Sequence, residues 1–180
     1  REGEMARKQA GQPASAQAGV WESIAGGPWH PTFSGIMTFL HRPHTRDLAG
    51  VDLVVSGVPF DNATTDRPGT RFGPRALRAV SGGLGELKAF PYGFDPFTTL
   101  NVIDAGDCIV NHHLPDTVIA SIEAHARRIL ASGARMATLG GDHFITYPLL
   151  KAHAEKHGPV ALLQFDSHCD TWPEIGRAHV

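Results

Sequence analysis

From Val51 onward the chain alternates short apolar runs with stretches whose apolar residues recur every three or four positions. That is the pattern of strands and helices taking turns around a largely parallel sheet. Residues 51–58 (VDLVVSGV) are β-branched and nearly all apolar, as a strand buried on both faces should be. Residues 100–104 (LNVID) read as a second, shorter strand. Pro115 and Asp116 then predict a stop and an N-cap, after which Val118, Ile119, Ile122, Ala126, Ile129 and Leu130 recur at helical spacing until Ser132-Gly133 ends the helix. Residues 135–139 (RMATL) predict a third strand, Thr146 to His157 a helix that tolerates Pro148 in its first turn, and residues 160–165 (VALLQF) a further strand. The crossover of this strand–helix–strand unit should be right-handed, so its two strands lie parallel with both carboxyl ends at one edge of the sheet. In open α/β sheets that edge is where ligands bind.

Residues 61–74 (DNATTDRPGTRFGP) are rich in Gly, Pro, Asn, Asp and Thr and follow the first strand directly, which makes them a long loop at that same edge, with Pro74 suited to a helix N1 position. Two compatible readings stand: a structured turn in which Arg71 and Asp66 make local hydrogen bonds, and the rim of a substrate site.

The chemistry gathers where the last two strands end. Asp166-Ser167-His168-Cys169-Asp170 continues the apolar run without a break, so while the backbone stays extended Asp166, His168 and Asp170 face one way and Ser167 and Cys169 the other. Two carboxylates and an imidazole converging at the end of a buried strand are costly unless a cation neutralises them. Gly140-Gly141-Asp142-His143 leaves the neighbouring strand at the same edge. Its glycines let backbone pass close to the site or take positive φ, so that His143 projects toward the cluster. His143, Asp166, His168 and Asp170 are the candidate metal ligands. Four N/O donors without a thiolate suit a hard-to-borderline divalent ion, and the carboxylate share favours manganese over a structural zinc, with cobalt, nickel or iron left open. Each motif alone is weak; together, with a helix of a dozen residues between them, they point to metal binding.

Composition narrows the picture without redirecting it. The 180 residues are 42% hydrophobic and 19% charged with a formal net charge of −2, the profile of one globular domain. Near-neutral charge gives no reason to expect nucleic acid or an anionic membrane as partner, and no stretch reaches the roughly 18 apolar residues of a bilayer span. A small-molecule partner is expected. Two cysteines, Cys108 and Cys169, form neither a disulfide framework nor a CxxC motif, which suits a cytoplasmic protein. Residues 1–33 are expected to be a disordered or poorly defined lead. Residues 34–173 are expected to form the α/β domain. Residues 174–180, which can be back-translated onto a widely used sequencing adapter, are expected to be a non-native tail.

GGDHFITYPLL followed by LLQFDSHCDTW resembles the ureohydrolase (arginase/agmatinase) family, in its agmatinase-like branch. Upstream, GVPFDNATTDRPGTRFGPRALRAVS is similar to that branch's first-strand loop and helix, and FDPFTTLNVIDAGDC to its next strand. The resemblance covers residues 35–173. It implies a three-layer α/β/α fold with a mostly parallel sheet, incomplete at the C-terminus, and two manganese ions sharing a hydroxide that attacks a guanidinium carbon. It also implies that His143, Asp166, His168 and Asp170 are ligands, with Asp166 bridging the ions, that agmatine is cleaved to putrescine and urea, and that the protein is a homo-oligomer. The second Asp pair, the proton-shuttling His and the substrate-binding Glu that the family needs are missing from the pattern, so the chain is expected to be an amino-terminal part, inactive alone. His179 is not assigned the shuttle role. No catalytic or substrate-binding residue is named. The alternatives are a hydrolase of another guanidino compound (guanidinobutyrate, arginine, guanidine) and a non-catalytic metal-binding relative.

Asp104 and Asp107, in the DAGD turn, are read either as groups orienting a ligand or as a turn satisfying its own backbone. His112, His113, His125, His153 and His157 are read as surface or packing residues. Trp21, Trp29 and Phe33 lie in a lead segment that could pack on a partner subunit.

Overall fold

The structure, a computed structural model, describes residues 32–84, 88 and 90–168. Within them three parallel strands alternate with helices: β1 (Leu53–Val58), α1 (Gly73–Ser81), β2 (Val102–Asp107), α2 (Val118–Ala131), β3 (Arg135–Gly140) and α3 (Thr146–His157). The sheet order is β2-β1-β3. β1 is therefore central, which explains why its alternating residues are apolar on both faces. Val54 packs with Ile103, Ala105 and Ile129 of α2 on one side. Val55 packs with Val102, Leu139 and the flanking Phe39 and Phe97 on the other. Gly57 shares the Val55 face, and a Cβ there would meet Pro74 of α1 at 2.7 Å. α1 and α2 thus cover opposite faces, giving the three layers expected of an α/β/α fold.

α3 lies beside α2, where Ala126, Leu130 and Ala152 form a small buried contact. Ion pairs extend that contact outward: Arg127 bridges Glu123 and Glu155, and Lys151 reaches Glu123 at 2.7 Å. Val58 of β1 is in register with Gly140 of β3, so the loops leaving these strands emerge at one level. Among the described residues no helix is long and apolar enough to cross a membrane.

Three sequence expectations change. β2 begins at Val102 and runs through the DAGD turn to Asp107, because its residues keep pairing with β1 past a register shift between Val55 and Gly57. Asp116 is not an N-cap; it sits inside a 3-10 turn, Pro115–Thr117, that leads into α2, and Thr117 precedes the helix without a side-chain cap. Residues 160–165 are not a strand: they pair with no strand among the described residues, and Leu163 and Phe165 are 79% and 92% exposed. Strand formation needs a ladder partner as well as apolar composition, and β3 ends the described sheet on that side. The readings of residues 1–31 and 169–180, including Trp21, Trp29, Cys169, Asp170 and His179, lie outside the described residues.

Candidate metal centre

Everything at the carboxyl end of the sheet depends on how closely the GGDH turn packs against the end of β1. Gly141 sits where a Cβ would lie 2.5 Å from the carbonyl oxygens of both Val58 and Phe60. A Cβ on Gly140 would meet Ile145 Cδ1 at 2.9 Å. Neither glycine has positive φ, so close approach is what requires them. The Asp142 N–H then donates to the Phe60 carbonyl at 2.8 Å, and His143 opens the one-turn 3-10 helix His143–Ile145. Gly141→Ala should therefore cost about 1–3 kcal/mol by overpacking. A denaturation midpoint unchanged from the parent would refute that close packing.

Two buried carboxylates that the sequence reading did not single out shape this edge. Asp61 is 2% exposed and accepts from Gly69 N (2.6 Å), Arg71 N (3.2 Å) and Arg71 Nε (2.5 Å), folding residues 61–71 into a closed loop. The Arg71 guanidinium, helped by these backbone donors against the opposing effect of burial, brings the Asp61 pKa down to about 2. Arg71 also donates to Asn62 at 2.7 Å, and Asp66 pairs with Arg67 at the surface, so the structured-turn reading of the loop describes what it does. Asp142 is equally buried. Its Oδ2 accepts from Ala63 N at 3.0 Å, tying the loop to the GGDH turn, while Oδ1 has no hydrogen-bond partner among the described residues. Burial pushes the Asp142 pKa up. In sequence, Asp61 and Asp142 look like ordinary turn residues; only their position opposite buried N–H groups separates them from the rest.

Asp104 makes the turn contact that one reading expected of it and carries a larger task besides. Its carboxylate takes a bidentate ion pair from Arg78 of α1, Nε to Oδ2 at 2.7 Å and Nη2 to Oδ1 at 2.9 Å, plus the N–H groups of Phe39 and Gly106. Arg78 Nη1 also reaches Asp107 Oδ1 at 2.6 Å. The bond to Gly106, two residues on, is the local turn contact; the ion pair anchors α1, and with it the end of the 61–71 loop, to β2. Burial opposes the charge of both partners, yet the hydrogen bonds leave Asp104 below and Arg78 above their ordinary pKa values.

Of the four proposed ligands, the structure describes three. Asp166 and His168 meet, but through a bend in place of extended alternation: Asp166 Oδ1 accepts from His168 N at 2.8 Å and lies 3.3 Å from its Nδ1. Ser167 Oγ also comes within 3.4 Å of that ring nitrogen, so the expected separation of faces does not hold at Ser167. The His168 N–H lowers the Asp166 pKa against the opposing effect of burial, with smaller help from the His168 ring and from the charges of His168 and His143. His143 is thus within electrostatic reach of Asp166. Among the described residues no three His, Cys, Asp or Glu side chains gather closely enough to hold a metal ion. The donors are imidazole nitrogens and a carboxylate, and their chemistry fits a divalent cation.

The other histidines are placed by packing: His112 stacks on Phe60 with centroids 5.9 Å apart, and the His153 ring is 2.8 Å from the Leu149 carbonyl. Cys108 is buried, which together with nearby Asp107 pushes its thiol up to about 11.

Residues 51–179 match the model of the arginase family. The chain belongs to the arginase family. An agmatinase from Chromobacterium violaceum is 55% identical over 154 residues, covering 85% of this chain and 48% of its own. Among solved structures, a hypothetical agmatinase from Burkholderia thailandensis is 57% identical with a TM-score of 0.79, over 83% of this chain and 48% of that one. Proclavaminate amidino hydrolase from Streptomyces clavuligerus is 37% identical with a TM-score of 0.76, over 83% and 51%. A formiminoglutamase variant from Trypanosoma cruzi, solved with Mn2+, is 26% identical with a TM-score of 0.53, over 59% and 36%. The chain spans about half the length of the curated relatives it matches.

Proposed function

We propose that the whole protein carrying this sequence is an agmatinase that cleaves agmatine to putrescine and urea at a two-manganese centre, with His143, Asp166, His168 and Asp170 among its ligands. The observation that carries the reading is the 55% identity to an agmatinase over 85% of this chain, in an arginase-family sheet whose carboxyl end bears the GGDH turn with His143. Manganese is supported by the N/O donor set and by the Mn2+ in the Trypanosoma cruzi relative. Bound divalent ions would supply Lewis-acid polarisation and an activated water for an otherwise unreactive guanidinium carbon. The chain's own residues supply the setting. Asp166, its pKa lowered, is ionised at neutral pH, and its negative charge favours both a cation and the approach of a cationic guanidinium. Asp142 and Gly141 hold the turn that carries His143 against the end of β1, and Asp61 and Arg71 close the loop beside it.

A homo-oligomer is supported by α1, whose polar Arg78 and Ser81 are buried while Leu77 and Val80 are 46% and 75% exposed. An apolar outer face on a helix is the mark of a surface meant to be covered. A cytoplasmic location accords with the absence of a membrane-crossing helix among the described residues.

The substrate is tested by measuring urea release side by side from agmatine, arginine, guanidinobutyrate and guanidine. Agmatine should give the highest kcat/KM. A clear preference for one of the other three would reject the agmatine assignment and favour the second reading, an amidinohydrolase of another guanidino compound, to which the 37% identity with proclavaminate amidino hydrolase lends weight. No urea from any of them, in protein loaded with manganese, would favour the non-catalytic relative.

A further inference from the structure

On the far side of β1 from β3, a cavity of about 310 Å³ opens between the end of β2, one face of α2 and residues 46–48. It is separate from the turn that carries His143, and its size is at the lower end of small-ligand pockets. Its floor is apolar, formed by Leu48, Ala105 and Ile129. Its charged lining is mostly cationic: Arg46 and Arg128 both line it, Arg128 Nη2 donates to the Arg46 carbonyl at 3.0 Å, and no carboxylate pairs with either guanidinium among the described residues. The one acidic lining residue, Asp107, is already bound by Arg78 at 2.6 Å. His125 completes the wall, and its Nε2 is buried with no hydrogen-bond partner among the described residues.

A buried polar atom left without a partner costs free energy unless something occupies the space beside it. Two guanidiniums at the mouth select for negative charge, because a cation would bring like charges together. Burial, and after it the charges of Arg128 and Arg46, lower the His125 pKa, so at neutral pH the imidazole is uncharged and can accept or donate a single hydrogen bond.

We propose that this cavity is a second ligand site, which takes a small organic carboxylate with a short apolar body. The carboxylate lies between Arg46 and Arg128 against the wall that includes His125, and the apolar part lies against Leu48, Ala105 and Ile129. The cationic guanidino substrate class is excluded by the same two arginines, so the site is not a second copy of the one at the sheet edge.

The test is calorimetric titration of the whole, manganese-loaded protein with butyrate, n-butylamine and inorganic phosphate, each also run on Arg46→Gln, Arg128→Gln and His125→Gln variants. Butyrate should bind saturably, n-butylamine should not, and phosphate should bind more weakly than butyrate. Each arginine variant should weaken butyrate by about tenfold or more, the size of one charged hydrogen bond. Metal content and circular dichroism, unchanged in Arg46→Gln and Arg128→Gln, show that these exposed substitutions leave the fold intact. Absence of saturable butyrate binding, binding unaffected in both arginine variants, or phosphate binding as tight as butyrate would each overturn the proposal. None of these outcomes depends on urea release, so failure here and failure of the agmatinase reading are told apart.

Discussion

Replacing His143 by alanine is expected to lower manganese content and urea release together in the whole protein. The expectation rests on the proposed ligand set: a group that binds only substrate would leave metal stoichiometry intact when removed, whereas a ligand takes the metal with it. The loss should exceed about a hundredfold in kcat/KM, since removing even the outer partners of metal ligands costs 10- to 100-fold. His143 is suited to such a test because its turn is held by backbone, through Asp142 N to the Phe60 carbonyl and the tight seat of Gly141. Truncating the imidazole therefore removes a donor while leaving the loop in place. Cys169→Ser is the matched control, a neighbouring substitution outside the proposed ligand set, and metal retained there with metal lost in His143→Ala is the expected pair of results. Full manganese occupancy in His143→Ala, measured by elemental analysis on dialysed protein, would remove His143 from the ligand set.

The strongly patterned elements were readable in the sequence because local physics decides them. α3 follows the predicted bounds, and β1 and β3 fall within a residue or two of theirs, since their apolar residues meet their partners within the described chain. Residues 160–165 carry an equally clear apolar run, yet they pair with nothing described, because a strand is a property of two chains' backbones and composition reports on one. The metal motifs were legible as donors at one sheet edge, but the alternation that was to align Asp166 with His168 gives way to a bend at Ser167. Hidden altogether were the buried carboxylates. Nothing in DNATTDRPGTRFG distinguishes Asp61, which clamps the loop, from Asp66, which lies exposed at the surface. Nothing in GPRALRAVS announces that Arg78 points inward, since a charged residue is normally placed on a helix's solvent face. The amphipathic pattern of α1 runs opposite to the usual rule, and its meaning appears only with Asp104 opposite.

That inversion makes Arg78 the position of largest expected effect on stability. Arg78→Met keeps much of the side-chain volume and removes the guanidinium, leaving Asp104, 1% exposed, with only the Phe39 and Gly106 N–H groups as donors. Breaking a buried pair from one side strands the other charge, which typically costs 3–5 kcal/mol. Against a total stability of about 5–15 kcal/mol, that is a large fraction of the whole. The sign of the pH dependence provides the sharper check. In the parent, Asp104 is held below its ordinary pKa, so its contribution is complete above that ordinary value and is lost as pH falls through the folded one. In Arg78→Met, burial is left as the dominant influence and raises the Asp104 pKa, so mild acid should relieve the variant and narrow its deficit as pH falls. Adding Asp104→Asn, which keeps an acceptor for the two N–H groups but carries no charge, should recover part of the loss. Chemical denaturation of the parent, the single variant and the double variant across pH 4 to 8 measures all of this, with the pH range spanning roughly the usual carboxylate pKa upward. A single variant within 1 kcal/mol or so of the parent, well under the cost of a stranded charge, would show that the Arg78–Asp104 pair is not what holds α1 to β2. A double variant less stable than the single one would show the same.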